Sequence, residues 1–391
     1  MQDQPDNPTP RREMRETDVV KALRSTSIQK QPTAFFNTQL PVLEVALNVE
    51  MMTAKMADLL QPLARDGATP AIAYAKLLAY KQGNRGLIHY EVTGTTLGER
   101  CLVFGKLYPE LNQAERVSQT MLALWSDVFH GLDEVGVPRA LGCIAEFAML
   151  VYIPVEGEIL GDALDSAAAL RYMDLAGTWL GALHRGKLPL DRRFNVANEM
   201  VNLQAWAALV SHKYPDQAEN AARIAARLKE LTAELRFETD TPMHKDFHYG
   251  HIVVNSWLKV IDFDEMRLGD PNFDLAHFCA NLHLLAYRLN NSPFQFSALQ
   301  NAFLSAYARV TGWQPNDRFV YFYAYTCLKI AKQLCSMRGL RPRPEGQEQQ
   351  RQVQLMIDQG LGALPSATTG RLSSKFETMI VEGAITPPNE S

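Results

Sequence analysis

Residues 243–278 read MHKDFHYGHIVVNSWLKVIDFDEMRLGDPNFDLAHF, and this stretch decides the fold. It holds four histidines, at 244, 248, 251 and 277, and five aspartates, at 246, 262, 264, 270 and 274. Two short apolar runs, residues 252–254 and 259–261, flank a turn at 255–257, the pattern of a β-hairpin. A short antiparallel hairpin returns its ends to one edge, so the loop carrying Asp246 is expected beside the loop carrying Asp262. Strands that both end in carboxylates face a like-charge cost unless a cation or hydrogen-bond donors stand between them. Two such groups either share a metal, or one orients a nucleophile while the other holds the metal. His244 and Asp270 have a plainer reading as loop caps. Asp274 has one as the N-cap of a helix beginning at 275.

Upstream, the chain changes character once. Residues 75–80 and 86–92 are apolar runs separated by a polar turn containing Gly83, which predicts a second hairpin. A third strand is expected over 101–108, a helix over 112–128, and two further strands near 142–144 and 148–154. After Gly157 the periodicity turns helical, over 167–184, 201–210 and 216–235. Downstream of the 243–278 stretch it is helical again over 297–310, 318–336 and 348–361, with the helix that opens at 273 running to 289. Residues 1–17 and 363–391 read as poorly ordered ends, and residues 1–70 suggest no assignable element pattern.

The 243–278 stretch resembles the catalytic segment of the aminoglycoside phosphotransferase and choline kinase superfamily of small-molecule kinases. That superfamily carries His-x-Asp followed by an Asn five residues after the Asp, then an Asp-Phe/Trp-x metal motif, then Gly-Asp-Pro-x-x-Asp-Leu-Ala. Matching residues are His244-Lys245-Asp246, Ile261-Asp262-Phe263-Asp264, and the run from Gly269 to Ala276. The resemblance implies an α+β, bilobal, protein-kinase-like fold. A small β-rich N-lobe would span 18–155 and a larger, mainly helical C-lobe 156–362. It further implies transfer of the γ-phosphoryl group of ATP, with Mg2+ or Mn2+, to a hydroxyl of a small molecule such as a sugar, aminocyclitol or amino alcohol.

Carried over residue by residue, Asp246 orients or deprotonates the acceptor hydroxyl, with His244 beside it in the catalytic loop. Asp262 binds the metal that bridges the nucleotide phosphates, a task suited to a hard oxygen ligand. One position departs from the pattern: His251 stands where the metal-binding Asn belongs. Its imidazole either ligates through nitrogen, which suits Mn2+ or Zn2+ better than Mg2+, or bonds to phosphate, or one metal position is lost. In the N-lobe the resemblance implies a phosphate-covering turn with Lys81, Gly83 and Arg85, a strand lysine, Lys106, and its helix partner Glu115. It also implies a connector at 150–157, with Val151 and Ile153 near the base. The turn lacks a GxGxxG pattern and carries no weight alone. A lysine on an apolar strand is costly unless it meets an anion or faces water at an edge, and both readings of Lys106 stand.

Two other classes fit parts of the pattern. Three histidines and Asp246 within eight residues have the density of a zinc hydrolase site. A kinase fold that binds nucleotide without turnover fits the glycine-poor turn and His251.

Composition narrows the field. Of 391 residues, 47% are hydrophobic and 21% charged, ordinary for a globular chain with a sizeable core. A net charge of -4 with no basic run gives no electrostatic reason to expect nucleic acid or an anionic membrane as partner. Five scattered cysteines without a CxxC pair predict reduced thiols and a reducing compartment. The polar first residues and the lack of a long apolar run predict a cytoplasmic protein. The sequence is silent on oligomeric state.

Overall fold

The computed structural model describes residues 43–81, 85–289, 293–336 and 344–364. In chain order its elements begin with α1 (Leu43–Ala46), α2 (Val49–Leu60), β1 (Ala71–Lys81), β2 (Arg85–Thr93), β3 (Cys101–Leu107) and α3 (Leu111–Ala123). Next come β4 (Val135–Gly136), β5 (Arg139–Ile144), β6 (Met149–Ile153), β7 (Glu158–Ile159), α4 (Leu160–Ala163), α5 (Ala169–Arg185), α6 (Val196–Lys213) and α7 (Ala218–Glu234). The last are β8 (Thr241–Met243), β9 (Ile252–Val254), β10 (Leu258–Val260), β11 (Arg267–Gly269), α8 (Asn272–Arg288), α9 (Pro293–Thr311), α10 (Asp317–Ser336) and α11 (Gly346–Ala363). The chain divides into two compact units, one from residues up to Leu122 with Pro138–Gly157, the other from Ala123–Val137 with residues from Glu158 onward.

The first unit is built on a five-stranded antiparallel sheet of order β1-β2-β3-β6-β5. Strand side chains alternate between faces. On one face Ile88, Tyr90, Val92, Val103, Met149 and Val151 form a core with Met52, Met56 and Leu60 of α2. Residues 43–60, which the sequence left without a pattern, thus supply the cover for this sheet. Asn48 caps α2 by accepting the Met51 N–H, and the Tyr90 hydroxyl donates to the Ala46 carbonyl at 2.6 Å. Gly105 lets β3 sit tightly here, because a Cβ would meet Met149 Sδ at 2.7 Å and Tyr90 Cε2 at 2.8 Å.

The second unit is helical around two small sheets. β9 and β10 form the expected hairpin, flanked by β4, parallel to β10, and β7, antiparallel to β9. β8 pairs with β11. Helices α8 and α10 are buried on nearly every face, which explains why their sequences show apolar runs rather than a single stripe. The five cysteines are free thiols, with Cys101, Cys279, Cys327 and Cys335 buried. Among the described residues no helix is long and apolar enough to cross a membrane.

Helices α5 and α9 cross at glycines. A Cβ on Gly177 would lie 2.2 Å from the Phe303 carbonyl oxygen and 2.8 Å from Ala306 Cβ, and one on Gly181 would meet Val310 at 2.8 Å. Backbone cannot yield as a side-chain tip can. Gly177→Ala is therefore expected to destabilise the protein by roughly 1–3 kcal/mol through overpacking, read as a lower urea midpoint at unchanged m-value. An unchanged midpoint would mean that the helices part at no cost.

Candidate active site

The site is built on the loop between β8 and β9, and α8 sets that loop's position. Asp274 is fully buried in the first turn of α8. Its Oδ2 accepts the His244 backbone N–H at 2.7 Å and its Oδ1 accepts that of Lys245 at 2.8 Å. One carboxylate thus holds two consecutive amides, while Lys245 adopts a left-handed φ of 71°. His184 holds the carboxylate in turn: Nε2 lies 3.2 Å from Asp274 Oδ2, and Nδ1 lies 2.8 Å from the Tyr307 hydroxyl. Burial works to raise the Asp274 carboxyl, but bonds from His184 and the loop amides win and hold it below the usual carboxylate range. The expected N-cap role is corrected here. α8 already begins at Asn272, and it is Asp270 Oδ1 that accepts the Asn272 N–H, at 3.0 Å.

Aromatic stacking fixes the other side of the loop. Phe247 stacks on Trp179 at 5.5 Å between ring centres, and Trp179 stacks on Phe129 at 5.0 Å while its indole N–H donates to the Gly136 carbonyl. His244 is fully buried against Trp179 and Phe247, and its Nε2 lies 3.2 Å from the Ile261 carbonyl. It therefore ties the start of the loop to the residue before Asp262 and does not face solvent.

Asp246 stands half-buried at the edge of this framework, with its side chain 41% accessible. His277, one turn beyond Asp274 on α8, places Nε2 3.3 Å from Asp246 Oδ1. His248 Nε2 lies 4.0 Å from Asp246 Oδ2. Burial pushes the Asp246 carboxyl up, but the His277 hydrogen bond and the neighbouring His248 and His251 hold it well below the usual carboxylate range. Burial, and then the charge of Lys329, push His277 down to about 4, so at neutral pH it is a neutral donor to Asp246.

His251 stands between the two carboxylates. Its Nδ1 lies 3.0 Å from the Asp246 carbonyl oxygen and 3.7 Å from Asp246 Oδ2, and its Nε2 lies 3.8 Å from Asp262 Oδ2. The Ile261 N–H donates to the His251 carbonyl, continuing the hairpin ladder that brings the two ends together. A carbonyl only accepts, so in the neutral ring Nδ1 carries the proton and the Nε2 lone pair faces the Asp262 carboxylate. A lone pair and a carboxylate oxygen facing each other suit a shared divalent cation. Asp262, at φ 66°, and His251 therefore fit a metal position with mixed oxygen and nitrogen donors.

Asp246, His248 and His251 also bring ligand-type atoms within 4.8 Å of one another. That trio is poorly arranged for zinc. The Gly250 N–H donates to His248 Nδ1 at 3.0 Å, so the neutral His248 ring carries its proton on Nε2, the atom that faces Asp246.

The remaining expected residues lie in the first unit. Lys106 is on β3, on the face opposite α2, with its ammonium 5.5 Å from the Tyr108 ring centre. Glu115 is an exposed residue of α3. β6 is paired along both edges, with β3 and with β5, so Val151 is buried in mid-sheet with its strand committed to the ladder. The ladder pairing of β6 ends at Ile153. Lys81 ends β1, paired in register with Arg85, and Gly83 lies outside the described residues.

The profile of the phosphotransferase enzyme family matches residues 80–313, which is more than half of the chain. The chain belongs to this family. Among solved structures, this phosphotransferase-family chain is similar to spectinomycin phosphotransferase APH(9)-Ia, at 12% identity and a TM-score of 0.48, over 79% of this chain and 97% of that one. It is also similar to amicoumacin kinase hAmiN, at 15% identity and a TM-score of 0.49, over 81% and 96% of the two chains. A third is choline kinase LicA from Streptococcus pneumoniae, at 12% identity and a TM-score of 0.47, over 80% and 99%. No curated protein matches the sequence significantly.

Two predictions follow from the buried framework of this phosphotransferase. Asp274→Ala leaves two amides and His184 without their acceptor, and should lower stability by roughly 2–5 kcal/mol in urea unfolding. A loss below 1 kcal/mol would show that water or another group replaces the carboxylate. His277 is neutral in the fold, whereas an unfolded histidine takes up a proton near pH 6.5. Its contribution is therefore complete above that pH and is lost as pH falls toward 4. Between pH 7 and 5 the wild type should lose about 2 kcal/mol more stability than His277→Gln. Equal losses would contradict a neutral His277.

Proposed function

We propose that this phosphotransferase moves the γ-phosphoryl group of ATP to a hydroxyl of a small molecule. The observation that carries the reading is the Asp246–His251–Asp262 array, in which one imidazole lies within 4 Å of carboxylate oxygens from both hairpin ends. Asp246, ionised and aimed by His277, accepts a hydrogen bond from the acceptor hydroxyl. As the acceptor O–P bond forms, the bond between the γ-phosphorus and the oxygen bridging to the β-phosphate breaks, ADP leaves with that electron pair, and the hydroxyl proton passes to Asp246. A carboxylate held so far down is a weak base, so its main work is orientation, and the proton arrives late. That suits a loose transition state in which positioning supplies most of the rate.

Asp262 and His251 are the groups we assign to the divalent cation, Mg2+ or Mn2+. When bound, such an ion neutralises charge on the nucleotide phosphates. The nitrogen donor of His251 leads us to expect a stronger preference for Mn2+ than an Asn in its place would give. In the first unit we assign Lys106 to the phosphates. His244 has a positioning role, because it is sealed from solvent and bonds the backbone just before Asp262. The tautomer of His248 leaves the zinc-hydrolase reading without support.

Asp246→Ala should lower ADP production with a responsive acceptor by about 10²- to 10⁴-fold, while nucleotide affinity stays within threefold of wild type in calorimetry. Full activity in that variant would remove Asp246 from the chemistry. Nucleotide binding without transfer by the wild type, across a broad hydroxyl panel with either metal, would favour a binding module.

A further inference from the structure

Beside the catalytic loop lie two lysine ammonium groups that the proposed chemistry does not use. Lys245 Nζ sits 4.3 Å from the ring centre of Phe194 and 4.3 Å from that of Phe273. Lys329, on α10, places its Nζ 6.0 Å from the same Phe273 ring. Both side chains are partly buried, and among the described residues neither ammonium makes an ion pair or hydrogen bond. Two ammoniums drawn to one aromatic ring repel each other and lose hydration, a cost that an opposite charge would remove.

The acidic groups of this region are already engaged. Glu199 Oε2 accepts from the Tyr325 hydroxyl at 2.8 Å and from Asn202 at 2.8 Å. Glu265 pairs with Arg267 and Arg192, and Arg267 is thereby committed. Asp246, whose charge Lys329 also feels, is engaged by His277, so none of these carboxylates makes an ion pair with Lys245 or Lys329 among the described residues. Phe194, Phe273 and Phe322 are mutual neighbours at 5.1–6.3 Å and are themselves buried, so the ammoniums stand against an apolar cluster that offers them no hydrogen-bond acceptor. Burial, and then the charge of Lys329, push the Lys245 amine down to about 7, so about half of it is protonated at neutral pH and a bound anion would draw it to the ammonium form. The place is also right for an acceptor. Lys245 directly precedes Asp246, and the charge of Lys329 is felt by both Asp246 and His277.

We infer that the hydroxylated acceptor carries an oxyanion, a carboxylate or a phosphate group, which the ammoniums of Lys245 and Lys329 bind beside Asp246. The inference rests on the phosphotransfer reading for the word acceptor, but not for the anion site itself. Neutral sugars and amino alcohols, the acceptors expected from resemblance, would leave both ammoniums with ring contacts alone and no ion pair.

The test has two arms, both on the full-length protein at pH 7. In the first, acetate and inorganic phosphate are titrated by calorimetry into wild type, Lys329→Gln and Lys329→Arg. Binding should weaken about 10- to 100-fold in Lys329→Gln and persist in Lys329→Arg, with the tighter of the two ions naming the oxyanion. Absence of binding to wild type, or equal binding by all three proteins, overturns the inference. In the second arm, ADP release is compared between hydroxy acids or phosphate monoesters bearing a free hydroxyl and their uncharged ester or amide counterparts. Preference for the anions, with KM raised at least tenfold and kcat little changed in Lys329→Gln, supports the inference. Equal turnover of the uncharged counterparts overturns it while leaving phosphotransfer intact. Anion binding in the first arm with no ADP release from any compound supports the site and counts against the phosphotransfer reading alone.

Discussion

A single buried carboxylate sets the path of the candidate catalytic loop. Asp274 accepts two consecutive backbone N–H groups, from His244 and Lys245, and so sets the path of the chain into Asp246. Backbone amides are fixed in direction, so a carboxylate that meets two of them defines orientation as well as distance. Because Asp274 is on the same helix as His277, three residues away, one rigid element places both the loop and the imidazole that aims its aspartate. The left-handed turn at Lys245 is held by those bonds. Aromatic packing completes the framework, since Phe247 is locked against Trp179 and cannot swing the loop outward.

Around this framework the electrostatics sort the groups into roles. Asp246 is kept ionised by neighbouring imidazoles, although burial opposes it. His277 is kept neutral by burial, so it donates one hydrogen bond to Asp246 without bringing a second positive charge. In its neutral form His251 presents a lone pair to Asp262, because its other nitrogen is taken by the Asp246 carbonyl. None of these assignments depends on a single residue type. Each comes from which atom of a neighbour is already occupied.

The hairpin that joins Asp246 to Asp262 was legible in the sequence, because two apolar triplets around a polar turn have few other solutions and their ends must meet. The helical character of the second unit was legible from its periodicity. The covering role of residues 43–60 was not, since a short amphipathic helix has no meaning until the sheet face it covers is known. Asp274 read as a cap because capping is local, whereas the bonds it makes reach back 30 and 29 residues. His277 was counted in the 243–278 stretch without a role and Lys329 was not singled out, for the same reason: only folding brings them to Asp246 and Phe273. Val151 and Ile153 were expected near a nucleotide base only from the resemblance, and both lie in β6, which is paired along both edges.

The account stands or falls on where the terminal phosphate of the nucleotide goes. Phosphorus NMR of the protein with ATP, Mn2+ kept substoichiometric or Mg2+ in excess, and a pool of hydroxylated small molecules follows that atom directly. The γ-phosphorus resonance should be replaced by a phosphomonoester resonance in step with the appearance of ADP. An unchanged ATP spectrum, or γ-phosphorus recovered only as inorganic phosphate, would contradict transfer to a hydroxyl.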